Sequence, residues 1–178
     1  MIEHIAEVFD LPRFSPAARK ALWFWPVLAT LVLADCSSKE LVESALRHDP
    51  GPHAVLGDWL RFTLAYNPGA AMNLSFGPAS RVVFSSLALV AIVIILTLYR
   101  RTAPDGVLRA AALALVAGGA LGNLLDRLQS PLGVVDFIDI GVGDARFYTF
   151  NLADLGVTVG AVLLAVVLWR EDGMEETA

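Results

Sequence analysis

The chain has 178 residues, of which 56% are hydrophobic and only 17% charged, with mean hydropathy +0.62 and formal net charge −5. Soluble domains carry about 25% charged residues, so this composition excludes disorder and an ordinary water-soluble enzyme. The acidic balance excludes a nucleic-acid partner, which needs clustered Lys and Arg, and the single cysteine excludes an internal disulfide. A small integral membrane protein remains.

In chain order, residues 1–20 form an extension whose alternation of acidic and apolar residues, Glu3 to Phe9, suits a surface helix. A first span is predicted over Ala21–Leu46, passing Asp35 and Lys39. His53–Leu56 and Trp59–Tyr66 read as strands, followed by a turn at Asn67-Pro68-Gly69. The second span, Val82–Tyr99, has no charge, and a short basic link with Arg100, Arg101 and Arg109 leads into the third, Val107–Leu125. Val134–Ile140 is another short β-rich run. The fourth span, Phe150–Trp169, carries Asp154 as its one charge, and residues 170–178 are an acidic tail. Each span approaches the roughly 20 apolar residues a bilayer requires. Arg13, Arg19, Lys20 and the basic link place both termini in the cytoplasm and the two long connections outside. The predicted fold is a mainly α integral membrane protein, four transmembrane helices in one domain over 21–169 with a small extracytoplasmic β-cradle.

Ionisable groups at membrane depth are costly, so each is a functional candidate. Asp35 and Lys39 are i,i+4 with the acid first, the favourable order for a helical ion pair; the pair is either structural or in contact with substrate. The run Gly118-Gly119-Ala120-Leu121-Gly122-Asn123-Leu124-Leu125-Asp126-Arg127 joins small residues suited to close helix packing with a polar face of Asn123, Asp126 and Arg127. That face is either a surface cap on a packing helix or a shelf that positions a substrate backbone. Asp136, in an apolar strand, and Asp154, in the first turns of the last span, lie near one membrane face. Two carboxylates sharing a site do not both ionise easily. A charged member, Asp154 by its helix N-terminus, would take a proton from water while the neutral member polarises a carbonyl. Solvated loop acids or a proton relay are the alternative.

Two strings mislead. Gly141-Val142-Gly143-Asp144 matches the Gly-x-Gly-Asp string of certain intramembrane aspartyl proteases, but it falls in a polar loop and reads as a turn. Leu33-Ala34-Asp35-Cys36 is similar to a lipobox, yet an Asp precedes the cysteine and three spans follow, so Cys36 reads as a small buried residue. His4, His48 and His53 have no metal-ligand spacing.

Taken together, Asp35-Cys-Ser-Ser-Lys39, Asn67-Pro-Gly-Ala-Ala71, Gly118 to Arg127, Val134-Val-Asp-Phe137 and Phe150-Asn-Leu-Ala-Asp154 resemble the lipoprotein signal peptidase (signal peptidase II) family, four-span aspartyl proteases of bacteria. The resemblance covers roughly residues 21–169. It implies cleavage of a prolipoprotein just before its diacylglyceryl-cysteine, in the cytoplasmic (inner) membrane, with the site near the outer face. It implies Asp136 and Asp154 as the catalytic pair, a water nucleophile, and no metal or other cofactor. Asn67 and Gly69 match the motif lining the substrate site; Asn123, Asp126, Arg127 and Asn151 match polar positions that support the pair and hold the peptide. Asp35 and Lys39 match a helix-one pair with a structural or indirect role. The partners implied are the lipid-modified substrate, membrane lipid, and cyclic peptide antibiotics of the globomycin type. Met72 departs from the pattern, standing where a Phe is usual, which bears on substrate preference. A proton-relay transport subunit and a non-cleaving lipoprotein-binding scaffold are the rival functions.

Overall fold

A computed structural model describes residues 15–69 and 75–175; the expected surface helix at Glu3–Phe9 and the departure at Met72 lie outside the described residues. Four long helices, α1 (Pro16–Leu46), α2 (Ser80–Arg101), α3 (Val107–Gln129) and α4 (Leu152–Glu175), carry a sheet of four strands, β1 (His53–Leu56), β2 (Leu60–Asn67), β3 (Val134–Val142) and β4 (Ala145–Arg146). The expected spans and the three expected strands are present, with shifted ends. The first helix begins at Pro16 rather than Ala21, because Ser15 caps it by accepting from the Ala18 amide at 3.2 Å and Pro16 sits where a missing N–H costs nothing. The last begins at Leu152 rather than Phe150, because Phe150 pairs with Ile138 of β3 instead.

All four helices are long and apolar enough to cross a membrane. The α3 helix is the axle: Ala110, Ala112, Ala114, Ala117, Gly118, Gly119 and Gly122 are buried on it, and small residues let neighbouring helix backbones come close where lipid offers no hydrophobic drive. Phe24 of α1, stacked on Tyr99 of α2 at 4.0 Å between ring centroids, closes the core at one end. Outward faces stay apolar, as at Leu87, Val90, Val93 and Ile94 of α2, a surface that suits acyl chains.

Lys20 reaches from α1 to the C-terminal end of α2, donating to the Tyr99 and Thr102 carbonyls at 3.1 and 2.8 Å over the Tyr99 ring. It satisfies carbonyls that a helix end leaves orphaned. Lys20→Met is expected to lower stability by about 1–2 kcal/mol without altering activity, read by thermal unfolding in detergent beside an activity assay. Arg109 at the start of α3 pairs with Glu171 near the end of α4 at 3.0 Å, so the acidic tail begins as a helical extension that partly neutralises the basic link.

At the opposite end lies the sheet, an antiparallel meander in the order β1-β2-β3-β4. Its β2–β3 register sets Ala65 opposite Asp136 and Asn67 opposite Val134, with an irregularity between Phe62 and Ala65. Gly133, at φ +107, begins β3 against the Asn67 backbone, where any Cβ would overlap that chain. After β4 the chain returns along β3: Phe137 and Ile138 donate to the Phe150 carbonyl at 3.0 and 2.8 Å, and Phe150 donates to Ile138 at 3.1 Å. This return, with the two-residue β4, was not expected from the sequence, and it sets the start of α4 beside Asp136. The Gly141–Asp144 string ends β3 and turns into β4 at Gly143-Asp144, with Gly143 at φ +56.

Candidate active site

The site is built around the first turn of α4. Asn151 accepts from the Asp154 amide at 2.9 Å, and Asp154 accepts from the Asn151 amide at 3.3 Å. This reciprocal capping box holds the Asp154 carboxylate at the positive end of the helix dipole. Asn151 is fully buried, and its Nδ2 donates to Asp136 Oδ1 at 2.7 Å, Asn123 Oδ1 at 3.1 Å and the Val135 carbonyl at 3.2 Å. One amide side chain thus links the two acids.

Asp136 is only 4% exposed. Its second oxygen accepts from Asn67 Nδ2 at 3.2 Å. Burial pushes its pKa up to about 6, and the charge of Asp154 adds to the rise. The donors Asn67 and Asn151, and the Lys39 charge, oppose it.

The remaining candidates complete one network. Asn123 donates to Asp154 Oδ1 at 2.8 Å. Lys39 reaches Asp35 Oδ2 at 2.6 Å, Asp126 Oδ2 at 2.8 Å and Asn123 Oδ1 at 3.0 Å. Asp35 is fully buried, and its other oxygen accepts from the Ala153 amide at 2.8 Å, tying α1 to the first turn of α4. Asp126 accepts from the Val135 amide at 3.1 Å, tying α3 to β3. Arg127 donates to the Gly69 carbonyl at 2.7 Å and the Asn123 carbonyl at 3.1 Å, with its guanidinium over Phe84. Gly69 in turn donates to Asn67 Oδ1 at 3.0 Å, closing an Asx turn.

The sequence-selected residues Asp35, Lys39, Asn67, Gly69, Asn123, Asp126, Arg127, Asp136, Asn151 and Asp154 are therefore joined in a single hydrogen-bonded cluster where the sheet meets the helices. Among the described residues, Lys39 and Arg127 are the cations that Asp35, Asp126, Asp136 and Asp154 face, so a fully ionised cluster carries excess negative charge in a poorly solvated place. Retaining one proton relieves it, and Asp136, buried and bonded to the amides of Asn67 and Asn151 where equally buried Asp35 is paired with Lys39, is the favoured holder. A neutral acid beside a carboxylate at a helix N-terminus can hydrogen-bond a carbonyl oxygen and deprotonate a water in one step. Sequence reasoning had Gly122 among residues for close helix packing but not that its missing Cβ makes room for Asp35, and it missed the backbone of Val135 and Ala153, which anchors Asp126 and Asp35. The Asn151-x-x-Asp154 capping box was the one local signal available for the start of α4.

The family described as signal peptidase (SPase) II has a sequence model that matches residues 27–170. The chain is 37% identical over 164 residues to a lipoprotein signal peptidase of Streptomyces coelicolor, covering 89% of this chain and 76% of the relative. It is 40% identical over 155 residues to a lipoprotein signal peptidase of Ectopseudomonas mendocina, covering 83% of this chain and 89% of the relative. Among solved structures, a bacterial membrane enzyme determined by the in meso method at 1.9 Å superposes with TM-score 0.70 at 26% identity, covering 80% of this chain and 89% of that one. With the four apolar helices, these likenesses make the chain a multi-pass membrane protein.

Proposed function

The chain belongs to the signal peptidase II family of proteases, and from that premise we propose that it is an aspartyl endopeptidase that removes the signal peptide from diacylglyceryl-modified prolipoproteins, cutting just before the lipidated cysteine. The observation that carries this reading is the pairing of Asp136, nearly buried and pushed up to about 6, with Asp154 at the head of α4, both held by Asn151. In the proposed reaction Asp154 takes a proton from water, whose oxygen attacks the scissile carbonyl while Asp136 donates its proton to the carbonyl oxygen. Collapse of the tetrahedral intermediate breaks the C–N bond; the proton on Asp154 passes to the leaving amine of the cysteine and one gem-diol hydroxyl returns its proton to Asp136, which restores both acids to their starting states. Asn67, Gly69 and Arg127 frame the substrate side, and Asn123, Asp126 and Asn151 hold the pair.

The position of the cluster suits this substrate. It lies at the sheet end of the helices, opposite Lys20 and the basic link, so positive-inside orientation puts it at the outer face of the bacterial cytoplasmic membrane with both termini in the cytoplasm. A lipid-anchored cysteine presents its scissile bond at that depth. A globomycin-type cyclic peptide would compete there.

The test is cleavage of a diacylglyceryl-modified prolipoprotein by purified protein in lipid, with the unlipidated precursor as control and Asp136→Asn and Asp154→Asn as variants. Cleavage by wild type alone, and of the lipidated form alone, is expected. Activity in both variants would sink the pair, and a folded wild type that never cuts would sink the protease reading.

A pH dependence follows. Asp136 has to be neutral to donate, so kcat/KM, which reports the free enzyme, is expected to fall as pH rises through about 6. Asn67 stabilises the ionised form of Asp136; Asn67→Ala therefore moves this alkaline limb to higher pH. A pH–rate series on both proteins checks the direction, and an unmoved or downward-shifted limb contradicts it.

A further inference from the structure

We propose that Lys39 is a positioning residue for the carboxylate pair: by donating to Asn123 it fixes which way that amide faces, and so aims a hydrogen-bond donor at Asp154 that holds this carboxyl group in place beside Asp136. The inference rests on the protease reading above and deepens it. The argument is one of donor and acceptor capacity. A lysine ammonium has three donors and no acceptor, so the atom of Asn123 that meets Lys39 at 3.0 Å is its oxygen. The Asn123 nitrogen is then left to donate to Asp154 Oδ1 at 2.8 Å. Asn151 Nδ2, donating to the same Asn123 oxygen at 3.1 Å and to Asp136 at 2.7 Å, agrees with that choice.

Lys39 is itself held without slack. It is 3% exposed, and its three donors meet Asp35, Asp126 and Asn123 at 2.6, 2.8 and 3.0 Å. Two of these partners are fixed in turn by backbone amides, Ala153 on Asp35 and Val135 on Asp126. Those amides belong to the residues immediately before Asp154 and Asp136. One ammonium thus references both acids to the same point. The charged groups around it are Asp35 on its own helix, Asp126 and Arg127 on α3, Asp136 on β3 and Asp154 on α4. Arg127 approaches Asn123 through the backbone carbonyl, so it does not substitute for Lys39 at the amide. A purely structural ion pair would need Asp35 alone; the reach to Asn123 across to α3 is what a structural pair leaves unexplained.

The experiment separates the donor from the charge. Wild type, Lys39→Met and Lys39→Gln are compared by pH profiles of kcat and KM on diacylglyceryl-modified prolipoprotein, with thermal unfolding as the check on folding. Lys39→Met removes donor and charge, and kcat is expected to fall by roughly 100-fold with KM little changed. Its alkaline limb should move to higher pH, because Lys39 favours the ionised form of Asp136. Lys39→Gln keeps an N–H for the Asn123 oxygen, so kcat should recover about tenfold or more while the limb stays displaced. A folded Lys39→Met with wild-type kcat and limb overturns the inference, as does a folded Lys39→Gln no faster than Lys39→Met. Should Lys39→Met fail to fold, the kcat of the Gln variant decides: a fall of up to about tenfold from wild type supports the inference, and either a wild-type kcat or a fall of about 100-fold overturns it. These outcomes are distinct from failure of the protease reading, which would appear as an inactive wild type or as active Asp136→Asn and Asp154→Asn.

Discussion

Asp154→Asn and Asp136→Asn are each expected to lower kcat on the order of 10³-fold or more, but to move stability in opposite directions at pH 8. Asp154 accepts from Asn123 Nδ2 on one oxygen and from the Asn151 amide on the other. An asparagine there offers one oxygen and one NH₂. Whichever way it turns, an N–H faces an N–H, because the Asn123 amide is held by Lys39 and the capping amide is backbone. The loss of a cap and a strained contact is expected to cost about 1–3 kcal/mol. Asp136 differs because its ionised form is already disfavoured by burial. With a pKa raised to about 6, it contributes nothing unfavourable below the ordinary carboxylate range. It costs progressively more as pH rises toward 6 and stays at that full cost above, about 3 kcal/mol by linkage. Asp136→Asn removes that cost, keeps an acceptor for Asn151 at the 2.7 Å contact and sets its NH₂ against Asn67 Nδ2 at the longer 3.2 Å contact, a smaller loss than the cost removed. At pH 8 the variant should be as stable as the parent or more so, and below pH 4 less so. Unfolding of the three proteins at both pH values provides the check; a destabilised Asp136→Asn at pH 8 contradicts the assignment of Asp136 as the reluctant acid.

What the sequence reveals of this arrangement depends on range. The spans are long and apolar, so hydropathy finds them, and the i,i+4 pair of Asp35 and Lys39 follows from helical geometry. Asn123, Asp126 and Arg127 share a helix face by spacing alone. The pairing of Ile138 with Phe150, which delivers Asn151 to Asp136, has no local periodicity to announce it, and β4 is too short to show alternation. Nor does spacing reveal that Lys39 reaches Asn123 and Asp126 on another helix. That depends on how closely α1 and α3 approach, which is a property of glycines whose partners lie far along the chain. Ser15-Pro16 is an ordinary helix start, but Arg19 and Lys20 end the apolar stretch at Ala21, so hydropathy places the start of the span inside the first helix.

The second large effect concerns those glycines. Gly119→Val and Gly122→Ala are expected to lower activity by displacing the site, through contacts with α4 and Asp35. At Gly119 an added Cβ would overlap the Ala153 carbonyl and meet Val157 Cγ2 at 2.7 Å, so any side chain drives α4 away from α3. At Gly122 it would lie 2.5 Å from Asp35 Oδ2, the oxygen that accepts from Lys39, and 3.4 Å from Ala153 Cβ. The two positions sit one turn or less from Asn123, and both close on Ala153, the residue before Asp154. Overpacking at such a site costs about 1–3 kcal/mol, and Gly119→Val, pressing on backbone, belongs at or above the upper end. Gly122→Ala presses on a side chain that can move, but the movement breaks the Asp35–Lys39 contact or the Asp35–Ala153 contact, and either loosens the head of α4. The expected signature is therefore a split: Gly119→Val loses most of its folded protein, whereas Gly122→Ala remains folded with a lower Tm and kcat reduced by about 10–100-fold. Thermal unfolding and single-turnover cleavage distinguish the two. Full activity in Gly122→Ala would mean that Asp35 is free to move without disturbing the carboxylates, and that the tie from α1 to Asp154 is not needed for the chemistry.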